Sequence, residues 1–509
     1  MPVRRLSSLC AALATAFAAA IALPAQGQSL IELYDAARDY DASYQGARAQ
    51  YDASVARAAQ AKAGILPTVG LSAGDTRTQL DVDVPGSNVS RGFSTQTVGI
   101  NATQPLYRPA NWATYEQGKR QADIAQAVLT VAEQDLVVRV SQAYFDVLGS
   151  QDSLALVRAQ KTAVAEQLAS AKRNFEVGTS TITDTREAQA RYDLVISQEI
   201  AAENDLQVKK IALDQLVGRA NSVPVPLAAP VVLPTVSPAN MEAWVAQAEE
   251  VHPSIRQARL GVDVAGLEVQ KAEAGHKPTL DATLGYNIAN NPQGTSTTTG
   301  RSRINAATVG VVFNLPLFAG YATENRIRET LALEDQSRSV LEGTRRSVTQ
   351  ATRAAYLGLV SGAGQVKALE AAESSSQSAL DANKLGYQVG VRINIDVLNA
   401  QSQLYQTKRD LALARYNVLL GHLKLRQANG TLSADDLQGI NLALATGDRA
   451  TPESAASPTQ PSAATQSPVP VPQNTIPRVP PVPVPPFNPG APMMPVPPPP
   501  PVIVAPPGR

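Results

Sequence analysis

F-E-V-G-T-S-T-I-T-D-T-R-E-A-Q, residues 175–189, and Y-Q-V-G-V-R-I-N-I-D-V-L-N-A-Q, residues 387–401, are one pattern written twice. In both copies an aromatic residue, a glycine (Gly178 or Gly390), an aspartate (Asp184 or Asp396) and an Ala-Gln pair keep the same spacing. Glycine allows the positive φ of a tight turn. An aspartate just after it suits a helix N-terminus. Each copy therefore reads as a turn between two helices, the tip turns spanning 176–184 and 388–396.

The flanks support this. Asn111–Phe175 and Ala322–Tyr387 are free of proline. As continuous helices at about 1.5 Å per residue each would span about 100 Å, so they must be bundled lengthwise. Leu154, Val157, Val164, Leu168, Ala171 and Phe175 are spaced as a coiled-coil seam. Thr185–Val217 and Val397–Gln427 return along them, the second with its own seam of Val397, Ala400, Leu404, Leu411, Ala414 and Val418.

Upstream, the duplication continues with an offset of 211 or 212 residues. A-K-A-G-I-L-P-T (61–68) recurs as A-E-A-G-H-K-P-T (272–279), and Gly218 recurs as Gly430. Ser29–Gly64 reads as one helix, ended by Pro67 as Pro278 ends its counterpart. Four strands are expected, at about 68–81, 95–107, 279–287 and 306–318, with polar loops inside each pair. Each repeat is thus helix, β-hairpin, long helix, turn and return helix. The first repeat covers 28–218, a Pro-rich linker 219–240, the second repeat 241–430 and a closing segment 431–450. In V-S-G-A-G, Gly362 and Gly364 are expected to loosen the second long helix.

The two ends differ in kind. Residues 1–27 read as a secretory signal peptide, with Arg4 and Arg5 before an Ala-rich apolar run and small residues after it. From 451 to 509 the chain holds 22 of its 37 prolines and reads as a disordered polyproline tail. Cys10, the sole cysteine, falls in the leader, and no small residue precedes it to make a lipidation signal. The formal net charge is +0, with no basic patch for nucleic acid. His252, His276 and His422 are scattered without acidic or thiol partners, so neither an enzyme, a metal site nor a cofactor is expected.

Two strand pairs give four strands per chain. A closed membrane barrel needs at least about eight. Either the strands form a soluble sheet on a periplasmic coiled-coil scaffold, or several copies share one barrel. Three copies make about twelve strands, wide enough for a lumen. Periodicity alone leaves both open.

The signal peptide, the paired A-x-A-G-x-x-P-T segments and above all Tyr387–Gln401 followed by L-A-L-A-R-Y-N-V-L-L resemble the TolC family of outer-membrane export proteins. The resemblance runs over about 29–447 and leaves out the proline tail. It implies a mainly α fold with a membrane β-barrel: a homotrimer whose twelve-stranded barrel continues into a helical tunnel across the periplasm, closed at its tip. It implies a passive duct, for type I protein secretion, small-molecule efflux or both. The implied partners are a periplasmic adaptor (membrane fusion) protein, an inner-membrane pump of the ABC or RND type, and outer-membrane lipid. A non-conducting adaptor or scaffold is the alternative.

The same resemblance assigns roles at the tip. Asp184 would bond Tyr387 and Arg392, within or between subunits, to hold the tip shut. Asp396 would form a threefold acidic ring at the constriction. The family pattern has a second aspartate three residues later. Asn399 stands there, which implies a single ring. From the residues alone Asp184, followed by Glu187, also fits a helix cap, and that reading stays open. Tyr107 and Phe318, at strand ends, fit either an aromatic belt at the bilayer boundary or ordinary packing.

Overall fold

The computed structural model describes residues 27–227 and 233–441. The leader call for 1–27, except Gly27, and the proline-tail call for 451–509 lie outside the described residues.

The segment expected as one helix over 29–64 is two, α1 (Leu30–Tyr40) and α2 (Ala42–Lys62). Asp41 breaks it. Its backbone is extended, and its carboxylate accepts the Tyr44 N–H as the N-cap of α2. Arg139 then holds that carboxylate through two N–H···O bonds of 2.9 and 3.1 Å. The second repeat breaks at the matching place, between α5 (Met241–Val251) and α6 (Pro253–Glu273). There Pro253 disfavours helix at His252, whose Nδ1 caps α6.

Strands β1 (Thr68–Val84) and β2 (Ser87–Tyr107) are longer than expected. Most of the polar stretch read as a loop is paired, leaving only Pro85-Gly86 as the turn. Backbone pairing does not need apolar side chains once a register is set. Strand β3 (Thr279–Asn291) likewise outruns its expected end. Strand β4 (Ser302–Asn314) starts earlier and stops before Pro316, rather than reaching Phe318. All four form one antiparallel sheet in the order β1-β2-β3-β4. Arg108, just past β2, donates two bonds to Asp281 of β3, which fixes the joint between sheet and helices.

The register sorts the side chains. Val69, Leu71, Val98, Ile100, Ala102, Leu280, Leu284, Tyr286, Ile288, Val309, Val311 and Phe313 fall on one face. Thr97, Gly99, Asn101, Thr103, Thr283, Gly285, Asn287, Thr308 and Gly310 fall on the other. The apolar face is unpacked: Val69, Leu71, Val309 and Phe313 are all exposed. Beyond Ala73 it turns charged, at Asp75, Arg77 and Asp81.

Helices α3 (Pro109–Glu176) and α7 (Ala322–Gln388) are unbroken. Gly362 does not loosen α7; a Cβ there would lie 3.3 Å from Val418 Cγ2, so the glycine admits a close helix approach. Helices α4 (Ile182–Val217) and α8 (Asn394–Asn429) return along them, each ending at a glycine with positive φ, Gly218 and Gly430. Near the sheet the helices lie side by side in the order α2, α3, α6, α7, and toward the tip as α4, α3, α8, α7. The expected seams are buried, except Phe175 at the tip and the half-buried Ala400. The largest core is at mid-length, where Leu30, Leu33 and Tyr34 of α1 pack on Leu136–Leu148 of α3 and on Leu419 and Leu423 of α8. Leu437 and Ile440 of the last short helix, α9 (Asp436–Asn441), close it.

Candidate functional site

The far end of the helical layer is two hairpin turns. Gly178 and Gly390 have φ of +77° and +76°, as the duplicated pattern requires. Here the repeats stop being alike, and each difference traces to one residue.

In the first turn Thr181 is the N-cap of α4. Its hydroxyl accepts the Asp184 N–H at 3.2 Å, and Asp184 accepts the Thr181 N–H at 3.0 Å. This is a reciprocal capping box. It sits three residues earlier than the sequence suggests: Asp184 is the third helical residue, not the cap. Ser180 also donates to Asp184, at 2.7 Å. Partial burial raises the Asp184 pKa, but the Ser180 and Thr181 bonds outweigh it and hold the carboxyl below its ordinary range.

In the second turn Ile393 stands where Thr181 stands, and it offers no hydroxyl. Asp396, the counterpart of Asp184, is left without a capping hydroxyl. Its nearest cation is Arg392, 3.7 Å away and largely exposed. Arg392 lies over Gly386, where a Cβ would come within 2.7 Å of its Cγ. Tyr387 is half-buried on the cluster of Leu380, Val397 and Leu404, and its hydroxyl accepts from Asn174 of the first hairpin at 3.2 Å. Asn399 accepts from Arg191 of α4 at 2.8 Å. Within one chain, then, Asp184, Tyr387 and Arg392 sit at the same end in three separate contacts.

Sequence reasoning missed Asn394. It is fully buried, where its counterpart Ile182 is exposed. Its amide donates to the Asp184 carbonyl at 3.2 Å and accepts from Gln167 of α3. One side chain thereby ties the two hairpins together. The signal was weak: an asparagine replaces an isoleucine, but Ser180 and Thr181 are also replaced close by, by Arg392 and Ile393. Arg191 carried no comparable signal.

Four apolar side chains crown the tip. Val177 is 72% exposed, Val389 65%, Val391 78% and Ile393 61%. At the sheet end, Tyr107, Trp112, Phe318 and Tyr321 are all exposed, with Phe318 and Tyr321 edge to face at 5.7 Å between ring centres. Among the described residues no three acidic, His or Cys side chains gather as a metal site, and no helix is long and apolar enough to cross a membrane.

The outer membrane efflux protein model matches residues 33–219 and 244–431, one match per repeat. The chain is 33% identical to the outer membrane protein TolC of Vibrio cholerae over 417 residues, 82% of this chain and 94% of the relative. It is 30% identical to the alkaline protease secretion protein AprF of Pseudomonas aeruginosa, covering 80% and 86%. The fold matches crystal structures of CusC (TM-score 0.70, 16% identity, 79% and 92% covered) and of VceC from Vibrio cholerae (TM-score 0.66, 20% identity, 79% and 96% covered). A duplicated helical layer carrying one four-stranded sheet, matched repeat by repeat, shows that this chain belongs to the outer membrane efflux protein family, the TolC-like channels of the Gram-negative outer membrane.

Proposed function

We propose that three copies of this chain form a passive exit duct of a multi-part export system. The sheet face carries the reading. One face is apolar across all four strands, and β1 and β4 each leave an edge unpaired. A tilted transmembrane strand needs about 9–11 residues, and Leu280 to Ile288 supplies that length. A soluble scaffold would have to leave this face and both edges in water, which invites aggregation. Three copies close about twelve strands around a mainly polar lining of Thr, Asn and Gly, with Ile304 and Val312 on the same face.

At the other end, the exposed valines and Ile393 offer an apolar rim for a periplasmic adaptor, behind which an inner-membrane ABC or RND pump would supply the energy. The relatives' names divide between secretion of proteases and efflux. One duct suits both, and we assign both. Asp184, Tyr387 and Arg392 are proposed to exchange their present partners for contacts between subunits that hold the tip shut. Tyr107 and Phe318, with Trp112 and Tyr321, are proposed to sit at the inner boundary of the bilayer.

The test is conductance. Purified chain added to a planar bilayer should give discrete channels, and Asp184→Ala or Arg392→Ala should enlarge them. A monomeric chain that never conducts would leave the scaffold reading standing.

A further inference from the structure

The two repeats already meet once inside the chain, and that seam can be read as a template. Helix α3 packs on α8 of the next repeat. Gln134 of α3 donates to the Gly430 and Leu432 carbonyls at the C-terminus of α8, at 3.0 and 3.1 Å. Phe145 of α3 stacks near Tyr416 of α8, 5.8 Å between ring centres. Leu420 and Leu423 of α8 are buried in the same core. The last turn of α8 also holds a cation, Arg426.

Along these helices the repeat offset is 212, fixed by matching buried positions: Leu136 with Val348, Val147 with Leu359, Leu154 with Val366, Leu168 with Leu380. The same offset names the groups a second seam would use. Gln134 becomes Arg346, Phe145 becomes Leu357, Tyr416 becomes Asn204, and Leu420 and Leu423 become Val208 and Ile211. Among the described residues these side chains stay largely exposed, with Glu249 of α5 at the edge of the groove that Arg346 and Leu357 line. Leu357 is 58% exposed, Val208 54% and Ile211 64%.

The charges are exchanged across the template. Arg426 of α8 is matched in α4 by Asp214, and α4 has no basic residue in its last turn. The Asp214 carboxylate accepts the Asn221 and Ser222 N–H groups, each at 2.9 Å, but no cation in the last turn offsets its charge or the negative end of the helix. Opposite it the template places Arg346 instead of the neutral Gln134. Among the described residues Arg346 pairs only with Glu342 of its own helix, at 2.9 Å with both side chains well exposed, a weak pairing.

We propose that Arg346 of one copy caps the C-terminus of α4 in the next, beside Asp214, Gly218 and the carbonyls that follow, while Leu357 packs on Val208 and Ile211. The occupant of the α7 face is a second copy of this chain. The inference rests on the trimer proposed above and adds its seam: the contact between copies repeats the contact between repeats, with a cation moved from the return helix to the long one.

Cys10 is the one cysteine in the sequence, so a Cys10→Ala background allows disulfide mapping. Oxidised full-length chain carrying Leu357→Cys and Asn204→Cys should run as a covalent trimer on a non-reducing denaturing gel, and either single variant as a monomer. Arg346→Glu should lower the temperature at which the uncrosslinked trimer dissociates in detergent, while Arg346→Lys keeps most of it. A trimer that crosslinks through Leu357→Cys and Ser197→Cys, one heptad away, but not through Asn204→Cys would overturn this register and leave the trimer intact. A trimer unaffected by Arg346→Glu would overturn the cap. If the parent is monomeric by native mass in detergent, both the seam and the trimer fall.

Discussion

Asp184 and Asp396 occupy the same place in the duplicated pattern and do different work because of one neighbour each. Thr181 engages Asp184 in a capping box; Ile393 cannot engage Asp396. We propose that this freed carboxylate faces its copies in a threefold ring, to which Asn399 beyond it adds no second charge. Asp396→Ala should therefore reduce the cation-over-anion permeability ratio in a bilayer, while Asn399→Asp should raise it. A ratio unmoved by Asp396→Ala would reject the ring. Asn394 is the opposite case, a buried polar group whose value is structural. Replacing it by Ala strands the half-buried Gln167 amide and frees the Asp184 carbonyl, a loss of about 1–3 kcal/mol. The first hairpin should then exchange its amide protons faster than the rest of α4, and equal protection in both proteins would contradict the staple. The turn glycines and the aspartates were legible because backbone chirality and helix ends impose them locally. The partner of Asp184 was read three residues off, since T-x-x-D with Thr as cap competes with D-x-x-E. Arg191 with Asn399 was not legible, because that pair depends on how two distant helices cross.

Long proline-free stretches with a heptad seam identify α3, α4, α7 and α8 to within a few residues, because their packing is set by period alone. The break at Asp41 was missed in an Ala-rich stretch that has no proline there. Its counterpart V-H-P-S shows the break openly, so the repeat carried the signal. Asp41 is kept from solvent and held by Arg139. The Arg139 hydrogen bond, outweighing burial and aided by the Tyr44 amide, holds its carboxyl below the ordinary 3.8. A depressed folded-state value contributes stability at pH above the unfolded value, and that contribution drains away as pH falls through the folded one. Melting temperature should thus decline more steeply below about pH 4 in the parent than in Asp41→Asn, where nothing remains to protonate. Arg139→Ala should cost about 1–3 kcal/mol at neutral pH by leaving the carboxylate unpaired. Parallel pH profiles for the parent and Asp41→Asn would show that the joint between α1 and α2 is held some other way. The strands were under-read for a related reason. Their outer ends are polar, and polarity was taken as loop, yet a two-residue turn at Pro85-Gly86 lets the ladder continue through Asp81 and Ser90.

At the scale of the molecule the sheet is the part whose environment is decided by alternation. Leu284 and Thr283 are adjacent in β3 and point to opposite faces: Leu284 lies opposite Val309 and Ala102, Thr283 opposite Gly310 and Thr103. If the apolar face meets lipid and the polar face lines a lumen, the same charge should have opposite consequences one residue apart. An arginine on the lipid side near the bilayer middle costs about 2–4 kcal/mol per strand, and a closed trimer bears that cost three times over. Leu284→Arg should fail to accumulate in the outer membrane and leave aggregated chain behind. Thr283→Arg should assemble normally, retain its detergent-resistant trimer and conduct with lower cation selectivity, since three cations would then ring the lumen. Had the sheet been a soluble cap, both faces would sit in water and neither substitution would affect recovery. Equal recovery of the two variants would therefore contradict the barrel, and loss of Thr283→Arg with recovery of Leu284→Arg would invert its faces.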